Sequence, residues 1–194
     1  LLSDIKALVQ LQPSITLKAL MSKTLNNYSL AWVGADEAIC HVGTGLHKVP
    51  LARLQDIFFS LGRDKSGQAK TATLLEVIRI LGPFPNVRNT LQGSVVDAKS
   101  IERDFMGVSI TENKIKIMYD SMMDGLGKEI NAGVEGNVRY VDLNVLYADE
   151  KALVCIVPND DEDSDDEFGE NGKNVLLFLR EEDLDLKLEE LRAA

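Results

Sequence analysis

The stretch YVDLNVLYADEKALVCIV, residues 140–157, decides the fold that the sequence predicts. Between positions 141 and 147, apolar residues occupy every second position, and this period of two is typical of a β-strand that buries one face. The polar segment 148–151 then makes a short turn, and the apolar run 153–157 returns. The stretch therefore predicts an antiparallel hairpin. Its buried face is predicted to carry Val141, Leu143, Val145 and Tyr147.

Further short apolar segments with short polar links extend this pattern along the chain. They are residues 28–33, 54–61, 71–81, 87–96, 104–110, 114–119 and 174–180. In the first of them Tyr28, Leu30 and Trp32 are predicted to share one face, and residues 111–113 resemble a hairpin turn. Eight or nine strands linked in this way favour an antiparallel meander. Closure of the meander into a barrel would remove its exposed edges, and a barrel of about eight strands can hold one small ligand.

Helical spacing appears at both ends of the chain. Apolar residues repeat at helical intervals in residues 1–9 and 15–25, and Pro13 separates the two segments. Residues 184–191 fit a helix or a strand, and their many acids favour a helix. We therefore predict three regions. These are an N-terminal helical segment over 1–27, a β-barrel domain over 28–180, and a C-terminal tail or helix over 181–194.

The composition limits the possible partners. The chain has 194 residues, 45% of them hydrophobic, which is enough for the core of one domain. Lys and Arg number 21 against 31 Asp and Glu, so the net charge is −10. This balance disfavours nucleic acid and electrostatic docking on an anionic bilayer. Two cysteines do not make a disulfide framework, and no apolar run approaches the length of a membrane span. Any membrane association is therefore expected to be peripheral.

Most of the negative charge lies in one run, between Asp160 and Glu170. Like charges at this density keep a segment solvated, so residues 158–172 are predicted to form a long exposed loop. A calcium loop is the competing interpretation. It fails because Asp166 occupies the position that needs glycine and Gly172 the position that needs a bidentate glutamate.

No set of residues forms a recognisable catalytic or metal site. Cys40 and His41 are adjacent, but neighbours on a strand point to opposite faces, and His47 lacks the further ligands of a zinc site. The glycines at 43–45 lack the third glycine of a dinucleotide loop. Lys128 lacks the Ser or Thr that follows the lysine of a phosphate loop. The sequence therefore predicts a protein that is not an enzyme and has no certain cofactor.

Two motifs point to a known family. One is LNNYSLAW, residues 25–32, where two aromatic residues flank a leucine. The other begins with VLYADE, residues 145–150, continues with the return strand 153–157, and ends with GKNVLLFLR, residues 172–180. In their order and spacing these segments resemble the plastid lipid-associated proteins, also called fibrillins or plastoglobulins.

The resemblance implies a mainly β fold, a lipocalin-like antiparallel barrel preceded by two short helices. It also implies a nuclear-encoded plastid protein at plastoglobules, thylakoids or stroma. A first residue Leu1 in place of Met would fit removal of a transit peptide. Family roles are mostly non-enzymatic and involve isoprenoid lipids or thylakoid complexes.

Two functional hypotheses follow. In the first, the barrel binds an apolar small molecule such as a carotenoid, a quinone or a lipid. Trp32 and Tyr147 are then the predicted ligand contacts in an apolar wall. In the second, the chain is a peripheral subunit or assembly factor of a thylakoid photosynthetic complex. There, side chains would fill the barrel, and loops and terminal helices would contact the partner protein.

Overall fold

The computed structural model describes residues 1–12, 16–22, 26–63, 67, 69–82, 86–124, 128–130, 138–158, 168 and 170–193. The strands in this part of the chain are β1 (Asn26–Val33), β2 (Ala52–Arg63), β3 (Lys70–Ile80), β4 (Val87–Phe105), β5 (Val108–Met123), β6 (Glu129–Ile130), β7 (Arg139–Ala148), β8 (Ala152–Ile156) and β9 (Val175–Arg180). The α-helices are α1 (Leu2–Gln10), α2 (Leu17–Leu20), α3 (Asp36–Val42) and α4 (Leu184–Ala193). Short 3₁₀ turns lie at Leu46–Lys48 and Glu170–Gly172.

Eight of these strands form a closed antiparallel barrel. Their order is β4-β3-β2-β1-β9-β8-β7-β5, and β5 pairs again with β4 to close the sheet. Closure pairs the two edges that an open sheet would expose. The short strand β6 only adds two residues beside the end of β5. The prediction of a lipocalin-like antiparallel barrel preceded by two short helices is confirmed.

Two β-bulges change which face some side chains occupy. The pairing of β1 with β9 shifts between Leu30 and Trp32, and the pairing of β7 with β8 shifts between Val145 and Tyr147. A bulge adds one residue to a strand, so the residues after it change faces. Leu30 and Val145 therefore face the barrel interior, whereas Trp32 and Tyr147 face outwards. The predicted alternation through these two aromatic residues is wrong.

Side chains fill the barrel interior. Tyr28, Phe59 and Phe178 are fully buried there, and the ring centroids of the two phenylalanines are 5.6 Å apart. Ile117 and Val145 from β5 and β7 complete the packing from the opposite wall. The interior is thus a packed core of the ordinary protein kind.

A short helix covers each end of the barrel. The helix α2 precedes β1 and buries Leu17 and Leu20 in the interior core. The helix α3 follows β1 and buries Ala38, Ile39 and Val42 in the same core at the other end. The sequence did not predict α3, and the treatment of Cys40 and His41 as neighbours on a strand is wrong.

A second apolar cluster, the outer cluster, lies on the outside of the barrel. It includes Ile5 and Val9 from α1, Tyr147 from β7 and Phe105 from β4. Phe168 joins it and is only 2% exposed, with its ring 5.3 Å from that of Phe105. The prediction that 158–172 is exposed throughout is therefore wrong at Phe168. Residues 159–167 of that segment lie outside the described residues.

Two further predictions concern chain ends and turns. The hairpin between β4 and β5 turns at Met106 and Gly107, with Phe105 paired to Val108, so the turn predicted at 111–113 is wrong. Glu112, in the middle of that predicted turn, is fully buried and lies 3.0 Å from Arg103.

The predicted C-terminal helix is confirmed as α4. Asn86 and Arg88 at the start of β4 donate hydrogen bonds to carbonyl oxygens of α4.

Candidate ligand site at the α3 end of the barrel

A cavity with a volume of about 350 Å³ lies at the α3 end of the barrel. Its lining residues are Thr44, Leu46, Leu91, Tyr119, Asp120, Ser121, Met122 and Arg139. Leu46 is 38% exposed and Asp120 is also exposed, so the cavity reaches the surface. Leu91 and Tyr119 are buried and form its inner wall. This volume is within the usual range for small-molecule sites.

Arg139 fixes α3 over this cavity. Its guanidinium donates hydrogen bonds to the carbonyl oxygens of Cys40 at 2.8 Å, His41 at 2.7 Å, and Gly43. These carbonyls belong to the last turn of α3 and the residue that follows it, where a helix leaves acceptors without partners. A cation also suits the negative end of the helix dipole. Arg139 therefore joins the start of β7 to the helix that covers the barrel.

Glu76 holds the segment after α3 from the inside of the barrel. It is fully buried on β3, where it pairs with Ile57 of β2. Its carboxylate accepts hydrogen bonds from the backbone N–H of Thr44, at 2.8 Å, and from the Thr44 hydroxyl. A Cβ at Gly43 would lie 2.1 Å from Glu76 Oε1, so only glycine permits this close approach. The glycines at 43–45 thus have a structural role.

Tyr119 lies in the wall of the cavity and carries a hydroxyl group. It pairs with Arg139 across β5 and β7. Burial raises the pKa of its hydroxyl well above the usual value; Arg139 opposes this shift and Glu76 adds to it. The group therefore stays protonated at neutral pH. Its hydroxyl can donate a hydrogen bond to an acceptor on a ligand in the cavity.

A second cavity of about 290 Å³ lies at the α2 end, between α1, α2 and the strands β4, β5 and β7. Val9, Leu17, Ile110 and Leu146 give it an apolar wall, and Tyr147 also lines it. The Tyr147 hydroxyl already donates a hydrogen bond of 2.9 Å to Asp149. The hydroxyl of Tyr147 therefore already has a hydrogen-bond partner.

The two predicted ligand contacts lie outside the barrel. Trp32 packs in the outer cluster next to α1 and pairs with Leu177 of β9. It does not line either cavity described above. Tyr147 belongs to the same cluster but reaches the smaller cavity. Neither side chain therefore lies in the barrel interior, and a ligand role for Tyr147 stays a prediction.

The side chains of Cys40, His41 and His47 make contacts that the sequence does not predict. Cys40 and His41 lie on α3, not on a strand. His41 donates to the carbonyl oxygen of Asp142, whereas Cys40 Sγ lies 3.9 Å from His47 Nε2. In the described residues, no group of three or more His, Cys, Asp or Glu side chains is arranged to hold a metal ion. Most of the acidic run between Asp160 and Glu170, and residues 125–127 before Lys128, lie outside the described residues.

Sequence reasoning missed Arg139, Thr44 and Glu76. One signal was present for Glu76, since a single acid interrupts the apolar stretch 74–78 of β3. A charge inside a buried strand requires a partner, which is a reason to look for one. Tyr119 and Met122, which also line the cavity, lie on β5.

The membrane-span criterion and comparisons with known proteins complete the description of the site. Among the described residues no helix is both long and apolar enough to cross a bilayer. Comparisons with protein-family models, with curated proteins and with solved structures found no match. We therefore base the function on the barrel and its cavities.

Proposed function

We propose that this chain is a non-catalytic plastid protein of the fibrillin kind. In this proposal it binds or organises an apolar lipid or pigment at thylakoids or plastoglobules. The ligand class that fits best is an isoprenoid quinone or another apolar molecule with one accessible oxygen acceptor. The observation that carries the proposal is the cavity at the α3 end, which has apolar side chains and the hydroxyl of Tyr119 in its wall.

The packing of the barrel limits how a ligand is held. Because side chains fill the interior, a long carotenoid cannot lie along the barrel axis. A cavity of about 350 Å³ suits a ring or head group. The isoprenoid tail would leave past the exposed side chain of Leu46. Leu46, Leu91 and Met122 would contact the apolar part of the ring, and Tyr119 would donate to its carbonyl oxygen.

A titration with a benzoquinone that carries a decyl tail tests this assignment. We expect saturable binding by calorimetry and an increase of about 3- to 10-fold in Kd for Tyr119→Phe, the loss of one hydrogen bond. Tyr147→Phe, the same change at the other cavity, should leave Kd unchanged. No saturable binding, or equal effects of the two substitutions, would contradict the proposal.

A second candidate is a peripheral subunit or assembly factor of a thylakoid photosynthetic complex. The filled interior favours this role, because the barrel would then serve as a docking body. Three exposed apolar side chains also lie near the 3₁₀ turn that follows α3, and these are Val49, Leu51 and Leu81. A hydrogen bond from the Leu81 N–H to the Leu51 carbonyl oxygen holds the last two together. Co-purification with photosystem or antenna subunits, while this chain released from them retains no lipid or pigment of its own, would favour this candidate.

A further inference from the structure

Four exposed apolar side chains lie together at the α3 end of the barrel. We call this group the apolar rim, and its members are Leu46, Val49, Leu51 and Leu81. Backbone hydrogen bonds join its parts, because the Val49 N–H donates to the Leu46 carbonyl oxygen and the Leu81 N–H donates to that of Leu51. Exposed apolar side chains that are grouped in this way are typical of a surface that contacts a partner or a membrane.

Leu51 is the most exposed member of the rim, at 66%, and it has an unusual backbone conformation. Its φ is 69°, in the left-handed region that leucine rarely adopts. This conformation costs free energy, and an apolar side chain that stays in water recovers none of it. A leucine at this position therefore contributes favourably only when an apolar partner covers it.

Two arginines lie on the strands that lead to the rim. Arg53 of β2 and Arg79 of β3 are directly opposite each other in the antiparallel pairing, and both side chains are exposed. Like charges in this arrangement repel each other. Among the residues that the structure describes, neither guanidinium forms an ion pair. An anionic partner would therefore relieve the repulsion within this arginine pair.

Two acids near this surface already have lysine partners. Glu37 of α3 lies 3.7 Å from the ammonium group of Lys48, which precedes Val49. Glu190 of α4 lies 3.7 Å from the ammonium group of Lys187 on the same helix. Neither acid forms an ion pair with the arginine pair, so the positive charge of both arginines is available to a partner.

We propose that the apolar rim and the arginine pair together dock this chain on an anionic lipid bilayer. Such a bilayer offers the matching chemistry, because negatively charged head groups lie directly above the acyl chains. The rim side chains enter the level between head groups and acyl chains. The planar guanidinium groups of Arg53 and Arg79 bind the anionic oxygens of the head groups.

The docked orientation places the cavity at the α3 end next to the bilayer. Leu46 belongs to the rim and also lines that cavity, so the cavity would open towards the acyl chains. An apolar ligand could then enter without crossing water. The docking itself does not depend on a ligand in the cavity, so each proposal can fail without the other.

Sedimentation with quinone-free vesicles tests the docking surface. We expect the full chain to bind phosphatidylcholine vesicles that contain phosphatidylglycerol more tightly than vesicles of phosphatidylcholine alone, although its net charge is −10. Salt should weaken the binding, because it screens the charges. No binding to either vesicle would overturn the proposal and leave the rim to a protein partner. Equal binding to both vesicles would also overturn it, because the arginines would then have no role.

Substitutions in the surface locate the binding. Arg53→Gln and Arg79→Gln should each lower the partition coefficient on anionic vesicles about fivefold, and the double variant about 25-fold. Leu51→Asn should lower it about tenfold, because it removes the apolar side chain while asparagine accepts the left-handed conformation. Melting temperatures near that of wild type would show that each variant is folded.

The chain offers matched controls on another face of the barrel. Lys99 of β4 and Lys114 of β5 are also directly opposite each other and exposed, so the double variant Lys99→Gln with Lys114→Gln removes an equal charge. Val96→Asn removes an equally exposed apolar side chain on β4. Both controls should bind anionic vesicles like wild type. Losses in the controls as large as those in the rim and arginine variants would overturn the proposed surface.

Discussion

Replacement of Val145 by Asp should lower the free energy of unfolding by roughly 4 kcal/mol or more. Val145 is 0% exposed and faces the interior of the barrel, where it pairs with Asn113 of β5 and Cys155 of β8. A carboxylate there would be buried among apolar side chains such as Ile115 and Leu143. Because the whole stability of such a domain is about 5–15 kcal/mol, the variant should be largely unfolded in mild denaturant. Chemical denaturation followed by circular dichroism measures this.

The matched control is Val96→Asp on β4. Val96 is 47% exposed, so the same substitution should change stability by less than about 0.5 kcal/mol. The neighbour Asn144, which alternation predicts on the outer face, is a poor control because it is only 9% exposed. Equal loss of stability in Val145→Asp and Val96→Asp would show that the interior of the barrel is assigned wrongly.

Replacement of Arg139 by Met should cost about 3 kcal/mol and loosen α3 before the barrel unfolds. The substitution keeps an apolar stem but removes a charged donor from three carbonyl oxygens at the end of α3. Hydrogen bonds from charged groups each contribute roughly 1.5–3 kcal/mol, and part of this is recovered when water solvates the freed carbonyls. Hydrogen exchange of the α3 amides, together with denaturation, measures both effects.

Arg53→Met provides the comparison for Arg139→Met. Arg53 is an exposed residue on β2, so its loss should leave both stability and α3 exchange nearly unchanged. If Arg139→Met keeps wild-type protection of the α3 amides, the guanidinium does not hold the helix over the cavity.

The barrel can be predicted from the sequence because its strands and turns show in patterns of neighbouring residues. Alternation in 141–145, the polar turn at 148–151 and the return strand all describe neighbouring residues, and a closed sheet is the solution that leaves few edges. The bulges at Ala31 and Leu146 were not predictable in this way. Each bulge adds one residue to its strand, so the side chains after it point to the other face of the sheet although the apolar residues still alternate. The alternation therefore predicts the wrong face for Trp32 and Tyr147.

The turn at Met106 and Gly107 shows a related limit. Thr111, Glu112 and Asn113 are polar and fit a turn by composition. The structure instead buries Glu112 in a strand, because Arg103 on the paired strand lies 3.0 Å from its carboxylate. A count of polar residues shows that 111–113 are polar, but it does not show that Glu112 has Arg103 as a partner on the neighbouring strand.

The candidate site depends on contacts that are distant in sequence. Arg139 meets carbonyls about a hundred residues earlier in the chain, and Glu76 meets Thr44 across the barrel. The helix α3 was missed because it is only seven residues long, so its apolar positions Ala38, Ile39 and Val42 give a weak period. Cys40 and His47 are close in sequence, but they meet only because α3 and the Gly45 turn bring them together.

Native mass spectrometry of the protein purified from its natural source tests the central proposal most directly. Wild-type protein should retain an apolar molecule of quinone or lipid mass. Leu91→Trp, which fills the inner wall of the cavity at the α3 end, should be purified without it while its melting temperature stays near that of wild type. A wild-type protein that carries no such molecule, or a Leu91→Trp variant that retains it equally, would contradict ligand binding at this cavity.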